Sequence, residues 1–363
     1  MTQARFDRVR RRLDDVGLDA LLLSLGADLP WLTGYAAMPL ERLTMLVLPK
    51  DGDATLVVPR LEAPRVLEKP ALFELRPWEE TEDPVAIVAD LVGRRRSLAI
   101  SDRSWAAPLL ALQASLPDAK WQPASIVTGP LRAVKDGEEV AALRHAGSAA
   151  DRVASALIDG DIDLIGRTEA AVSREISERL LEQGHERVNF AIVGSGPNAA
   201  SPHHEPGDRV IGENESVVCD FGGALDGYCS DITRTVFTGD PPAEFRDLYA
   251  VLEHAQAEAL GAVEVDVACE DVDAVARRII TDAGYGPNFV HRTGHGIGME
   301  EHEDPYIVAG NCEPLMAGNA FSIEPGIYVE GKWGARIEDI VVVTQYGPDA
   351  LNTVDHKLRW MDA

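Results

Sequence analysis

Cysteine is scarce in this 363-residue chain: Cys219, Cys229, Cys269 and Cys312 are the four present, and no two form a C-x-x-C pair. Neither a disulfide framework nor a thiolate zinc site is expected, only reduced, partly buried thiols. Long apolar runs are missing too. Nothing approaches the ~18 uninterrupted apolar residues of a spanning helix, and Met1 to Leu13 mixes five arginines with Asp7 where a signal peptide would be apolar. The expected location is the cytoplasm. Basic side chains are few, 34 Lys and Arg against 60 Asp and Glu, and the resulting net charge of −26 argues against nucleic acid and anionic membranes as partners.

What remains is a chain with 45% apolar residues, enough for sizeable cores, and a length that suggests two domains of about 150 residues each. Residues 1–135 hold 18 basic and 18 acidic side chains, so the whole acidic excess lies in the second part, with 16 basic and 42 acidic. Such a field suits bound cations.

The first segment alternates short apolar runs (Ala20 to Leu25, Leu43 to Leu48, Thr55 to Val58) with a helix face marked by Phe6, Val9, Leu13 and Val16, as in a mixed α/β domain. The text VTGPLRAVKDG, Val127 to Gly137, puts Gly, Pro and charge between two patterned regions and predicts a linker, with a boundary near Lys135. Helices are expected from Val140 to Leu157, Thr168 to Gln183, Ala243 to Leu260 and Val267 to Ala283. The order helix, helix, hairpin occurs twice, which suggests a duplicated half-domain.

Each hairpin brings two acids together. In ESVVCDFGGALDGYCSDITRTVF an unbulged register centred between Leu225 and Asp226 sets Asp220 opposite Asp231, ~5 Å apart at Cβ. In AFSIEPGIYVEGKWGARIEDIVVVT a register centred on Gly331 sets Glu324 opposite Glu338. The flanking residues are apolar text for covered strands, where paired acids need a shared proton or a cation between them. A histidine would complete such a site for a transition metal. The segment HRTGHGIGMEEHEDP offers His291, His295 and His302. His295 lies between Gly294 and Gly296, so its imidazole can approach a crowded centre. The Walker lysine, the G-x-G-x-x-G spacing, HExxH and the G-x-S-x-G elbow are all absent.

Taken together, D-x10-D, GHGIG with HExP beginning seven residues beyond the His, IEPGIY and RIED resemble the pita-bread metallopeptidase family of prolidases, aminopeptidases P, methionine aminopeptidases and creatinases. The resemblance implies an α+β protein: a C-terminal pita-bread catalytic domain at 136–363 behind a smaller mixed α/β, creatinase-like N-terminal domain at 1–130. It also implies two divalent ions, manganese first, cobalt or zinc as alternatives. Asp220, Asp231, His295, Glu324 and Glu338 would ligate them, with Asp231 and Glu338 bridging. A water between two such ions is deprotonated easily and becomes the nucleophile. Glu324 would shuttle its proton to the leaving nitrogen, His203 and His302 would hydrogen-bond the peptide, and Arg336 would orient carboxylates.

Within the family the retained ligand set argues against a creatinase and the extra N-terminal domain against a methionine aminopeptidase, and the length and the HExP text then favour an Xaa-Pro dipeptidase acting on proline-containing di- or short peptides. Aminopeptidase P is the alternative within the family, and a non-catalytic binding protein on the same fold is the alternative of another class. A homodimer is implied by the resemblance alone. One departure stands out: where prolidases often carry an arginine directly after HExP that clamps the substrate carboxylate, this chain has Tyr306. Arg42, in the loop text MPLERLT, is the candidate replacement if a dimer partner swings that loop over the cleft.

Overall fold

The computed structural model describes residues 2–361, and the chain divides into two compact units, 1–132 and 133–363. The first contains, in chain order, α1 (Gln3–Asp15), β1 (Ala20–Leu23), α2 (Asp28–Thr33), β2 (Met45–Pro49), β3 (Thr55–Pro59), β4 (Glu74–Trp78), α3 (Pro84–Val92), β5 (Ser97–Ile100), α4 (Ala106–Ser115), β6 (Lys120–Pro123) and α5 (Ser125–Ala133). The strands form one mixed sheet in the order β4-β3-β2-β1-β5-β6. Strands β1, β2 and β3 are buried along their whole length, because both faces of the sheet are covered and the text is continuously apolar.

The linker expectation fails at α5, which runs through the Gly129-Pro130 text. Proline inside a helix leaves the carbonyl four residues back without its donor. Here that carbonyl is Ile126 O, and Arg12 Nε donates to it at 3.3 Å, while Arg8 Nη2 donates to Leu131 O at 3.1 Å. Two of the N-terminal arginines thus satisfy the helix that the local text discourages.

The second unit begins with α6 (Gly137–Ile158), started by an Asp136 and Glu139 capping box, and α7 (Glu169–Glu182), capped by Thr168. Then come β7 (Arg187–Ser195), β8 (Glu215–Leu225), β9 (Tyr228–Cys229) and β10 (Ile232–Thr238). The pattern repeats with α8 (Ala243–Gly261), α9 (Cys269–Asp282), β11 (Gly294–Gly296), β12 (Glu303–Ile307), β13 (Ala320–Ile323), β14 (Gly326–Val329), β15 (Trp333–Arg336), β16 (Asp339–Thr344), β17 (Gly347–Ala350) and β18 (Arg359–Met361). Two sheets, β18-β10-β8-β7 with β9 beside β8, and β12-β11-β13-β16-β17, follow the two helix pairs. Each pair has its own core: Val153, Leu157, Ile176 and Leu180 pack with Val217, Phe221 and Ile232, and Phe245, Leu252, Val272 and Ile280 pack with Phe321, Ile323 and Val341. The duplicated helix-helix-sheet order is therefore a duplicated packing unit. Among the described residues no helix is long and apolar enough to cross a membrane.

The two hairpin registers fare differently. The second is as expected: Gly326 pairs with Arg336 and Ile323 with Asp339, so the same register brackets Glu324 and Glu338 from both sides. The first is corrected. Asp226 and Gly227 both adopt positive φ (53° and 78°) and make a two-residue turn between the paired Leu225 and Tyr228. The turn centre moves one residue along, so Asp220 pairs with Thr233 rather than with Asp231. A displacement of two positions along the strand keeps both acids on one face, as diagonal neighbours.

Candidate metal centre and substrate cleft

Asp220 lies within β8, Asp231 just before β10, His295 on β11, and Glu324 and Glu338 at the breaks that follow β13 and precede β16. All five line one cleft of about 280 Å³, together with His203, His302 and Arg336. His295 reaches it for the reason its neighbours suggest. A Cβ on Gly294 would lie 1.8 Å from Ser322 O, and one on Gly296 2.3 Å from Asp304 O, so side chains there would push the strands apart.

The imidazole is held by its far edge. His295 Nδ1 lies 3.2 Å from the Gly296 carbonyl, leaving Nε2 facing Glu324 Oε1 at 3.3 Å and Asp231 Oδ2 at 3.7 Å. Burial drives its pKa down to about 3, which keeps the ring neutral with a lone pair available, the state a metal ligand requires. Asp231, His295 and Glu338 each present one donor atom within 4.8 Å of the others.

The carboxylates are aimed but unsatisfied. Asp220 Oδ1, Asp231 Oδ1 and Glu338 Oε1 are buried and accept no hydrogen bond. Burial, with the repulsion of Glu338 and Asp220 added, pushes Asp231 well above the carboxylate range, and burial with Glu324 and Asp220 does the same to Glu338. Glu324 is raised by burial to about 7 despite the opposing Arg336 charge. Orphaned acidic oxygens beside a neutral imidazole fit divalent cations better than any grouping of protein atoms alone.

Arg336 ties this arrangement together. Its Nη2 donates to Asp220 Oδ2 at 2.5 Å, its Nε to Thr233 Oγ1 at 3.1 Å and its Nη1 to Tyr328 Oη at 2.8 Å. Thr233 Oγ1 in turn donates to Glu338 Oε2 at 2.6 Å, and Tyr328 Oη lies 2.8 Å from His291 Nε2. Fully buried Arg234 fixes the backbone nearby by donating to Glu338 O and to Asp339 Oδ1.

Sequence patterning does not single out Thr233, Tyr328 or the cleft-lining Phe190, Ile192 and Arg292. Tyr328 closes the IEPGIY text, and Phe190 and Ile192 sit two apart on β7, so their shared face is legible. Two expected substrate residues are not among those lining the cleft. Tyr306, on β12, pairs in register with His295. Arg42, in the first unit, donates to Glu80 Oε1 at 2.8 Å and to Glu41 Oε1 at 2.6 Å.

Both parts of the chain are matched by known families. Residues 5–134 match the profile of the creatinase/prolidase N-terminal domain and residues 141–345 that of metallopeptidase family M24. The chain is 44% identical over 350 residues, 95% of this chain and 92% of the other, to the probable dipeptidase PepE of Mycobacterium tuberculosis. Among solved structures it is similar to the prolidase from Thermococcus sibiricus, with a TM-score of 0.93, 35% identity and coverage of 99% of this chain and 100% of that one. It is similar also to the Xaa-Pro dipeptidase from Bacillus anthracis, with a TM-score of 0.91, 28% identity and coverage of 99% of both chains. With its α+β fold, its N-terminal domain and its acid-rich cleft, the chain belongs to metallopeptidase family M24.

Proposed function

We propose that this metallopeptidase hydrolyses the Xaa-Pro bond of dipeptides. The observation that carries the reading is the convergence of Asp220, Asp231, His295, Glu324 and Glu338 on one cleft, with acidic oxygens that no protein donor satisfies. These five would hold two divalent ions, manganese by preference. When bound, such ions supply a deprotonated water as nucleophile and polarise the scissile carbonyl.

The chain's own residues do the rest. Glu324 takes the proton of the attacking water and hands it to the leaving nitrogen, a step the tertiary amide of an Xaa-Pro bond demands because it has no N–H of its own. His302, which burial keeps below its ordinary pKa, and His203 line the cleft and hydrogen-bond the peptide as its carbonyl becomes tetrahedral. Phe190, Ile192 and Pro202 give the cleft an apolar wall suited to a pyrrolidine ring. A volume of about 280 Å³ sits at the small end of ligand pockets and suits a short peptide. The reading takes residues 1–130 as the creatinase-like domain, 136–363 as the catalytic domain and the enzyme as a cytoplasmic homodimer.

Tyr306, standing in place of the expected carboxylate-clamping arginine, favours a second reading, an aminopeptidase P that removes the residue before proline from longer peptides. One panel separates them: metal-free enzyme reloaded with Mn, Co or Zn and assayed on Xaa-Pro, Xaa-Pro-Xaa and peptides with proline moved. Hydrolysis confined to Xaa-Pro dipeptides is expected. Faster tripeptide cleavage would establish aminopeptidase P, and a loaded but inert protein would establish a binding role.

A further inference from the structure

Two guanidinium groups line the cleft, and they differ in one respect. Every nitrogen of Arg336 is engaged, with Asp220, Thr233, Tyr328 and the Pro202 carbonyl as partners. Arg292 has no ion pair and no side-chain hydrogen bond among the described residues, although Glu301 lines the same cleft. Its one side-chain contact of this kind is aromatic: Cζ lies 4.5 Å from the centroid of the Tyr306 ring. In a protein with a net charge of −26, a half-buried arginine that faces a cleft and pairs with no carboxylate is available to an anion from elsewhere.

The stacking explains how it is held. A guanidinium lying on a ring is restrained in its plane, and its edge N–H donors still point outward, the geometry that grips a carboxylate through two parallel hydrogen bonds. The platform is itself fixed. Tyr306 is the cross-strand partner of His295, and its carbonyl accepts from Asn311 Nδ2 at 2.6 Å. The cation therefore stands at a set spacing from the imidazole that faces Asp231 and Glu324. Its charge already reaches the centre, being among those that hold His302 and His295 below their ordinary pKa.

Resting on the dipeptidase reading above, we propose that Arg292, braced on Tyr306, binds the C-terminal carboxylate of the substrate and so selects dipeptides over longer peptides. Tyr306 then does not replace a clamp but carries one. Arg42 differs in being paired already with two carboxylates, Nη1 with Glu41 and Nε with Glu80.

The test compares each Xaa-Pro dipeptide with its C-terminal amide, and each Xaa-Ala dipeptide with its amide, on wild type, Arg292→Met, Arg292→Lys, Tyr306→Leu and Arg42→Ala. Wild type should prefer acid over amide. Arg292→Met should raise KM for the acid by about 10–100-fold, the range for a hydrogen bond between charged groups, and abolish that preference. Arg292→Lys should recover only part of it, because an ammonium keeps the charge but not the fork, and Tyr306→Leu should weaken it less. Metal content and melting temperature of each variant guard against misfolding. An acid-over-amide preference that survives Arg292→Met, or is lost in Arg42→Ala instead, overturns the proposal. Cleavage of Xaa-Ala but not Xaa-Pro would remove proline specificity from the proposed function while the Xaa-Ala pair still measured Arg292. Cleavage of long peptides alone would remove both. If nothing is cleaved, calorimetric titration with Xaa-Pro and its amide decides by the same preference.

Discussion

Arg336 donates to Asp220 at 2.5 Å while the same guanidinium, through Thr233, supports the hydrogen bond that fixes Glu338. One cation thus sets the direction of two acids, one on β8 and the other just before β16. Arg336→Met is expected to lower divalent-ion affinity by about 10–100-fold, as for other residues that orient metal ligands, and to lower kcat with it. Arg336→Lys should restore little, because an ammonium cannot reach Asp220, Thr233 and Tyr328 together. Elemental analysis beside steady-state kinetics checks this, and full metal content with wild-type kcat in Arg336→Met would refute it.

Removal of the ions should be visible in stability. Asp231 and Glu338 are buried, mutually repelling and left with unpartnered oxygens. A cation at 100 times its dissociation constant adds about 2.7 kcal/mol to the folded state. For a unit of this size that corresponds to a gain of roughly 5 °C in melting temperature over chelator-treated protein. Asp231→Asn should lose that gain without losing the fold. Calorimetry with and without manganese is the measurement.

Glu169 gives a pH dependence away from the metal centre. Burial raises its pKa, but hydrogen bonds outweigh this and hold it below the ordinary 4.5, those from Ser195 Oγ at 2.7 Å and His204 at 2.7 Å foremost. A carboxylate depressed on folding contributes stability that is present above its unfolded pKa and lost as pH falls through its folded one. Wild type should therefore lose stability below about pH 4.5, and Glu169→Gln should be weaker at pH 7 with a flatter acid limb. Urea midpoints at pH 7 and pH 3.5 test the sign.

Lys135 and Glu303 form an ion pair 2.8 Å long with side chains only 1% and 8% exposed, and it anchors the strand that follows His302. Breaking such a pair from one side leaves a buried charge and costs about 3–5 kcal/mol. Lys135→Met should lower the denaturation midpoint accordingly, and Lys135→Met with Glu303→Leu should recover much of the loss. An equal loss in single and double variants would show that the pair acts only by packing.

Much of the fold is readable because its signals are local. Buried strands such as β8 are written as continuous apolar text, and the repeated helix-helix-strand order needs only periodicity. The Glu324 and Glu338 register is legible because Gly331 marks its centre. The first hairpin is shifted by one residue at its turn, since two consecutive residues of positive φ, Asp226 and Gly227, tighten it beyond what its strand text shows. Helix α5 is hidden for a different reason: the donor that makes Pro130 tolerable comes from Arg12, more than a hundred positions earlier. Arg292 escapes a linear reading because its stacking partner, and its lack of an ion pair among the described residues, exist only in three dimensions.

Asp220 and Asp231 come from the sheet behind the first helix pair, and His295, Glu324 and Glu338 from the sequence behind the second. Neither half supplies the whole set by itself. Ion capture by all five would then require both halves to be intact at once, and a chain nicked or frayed in either one is expected to hold its metal less tightly.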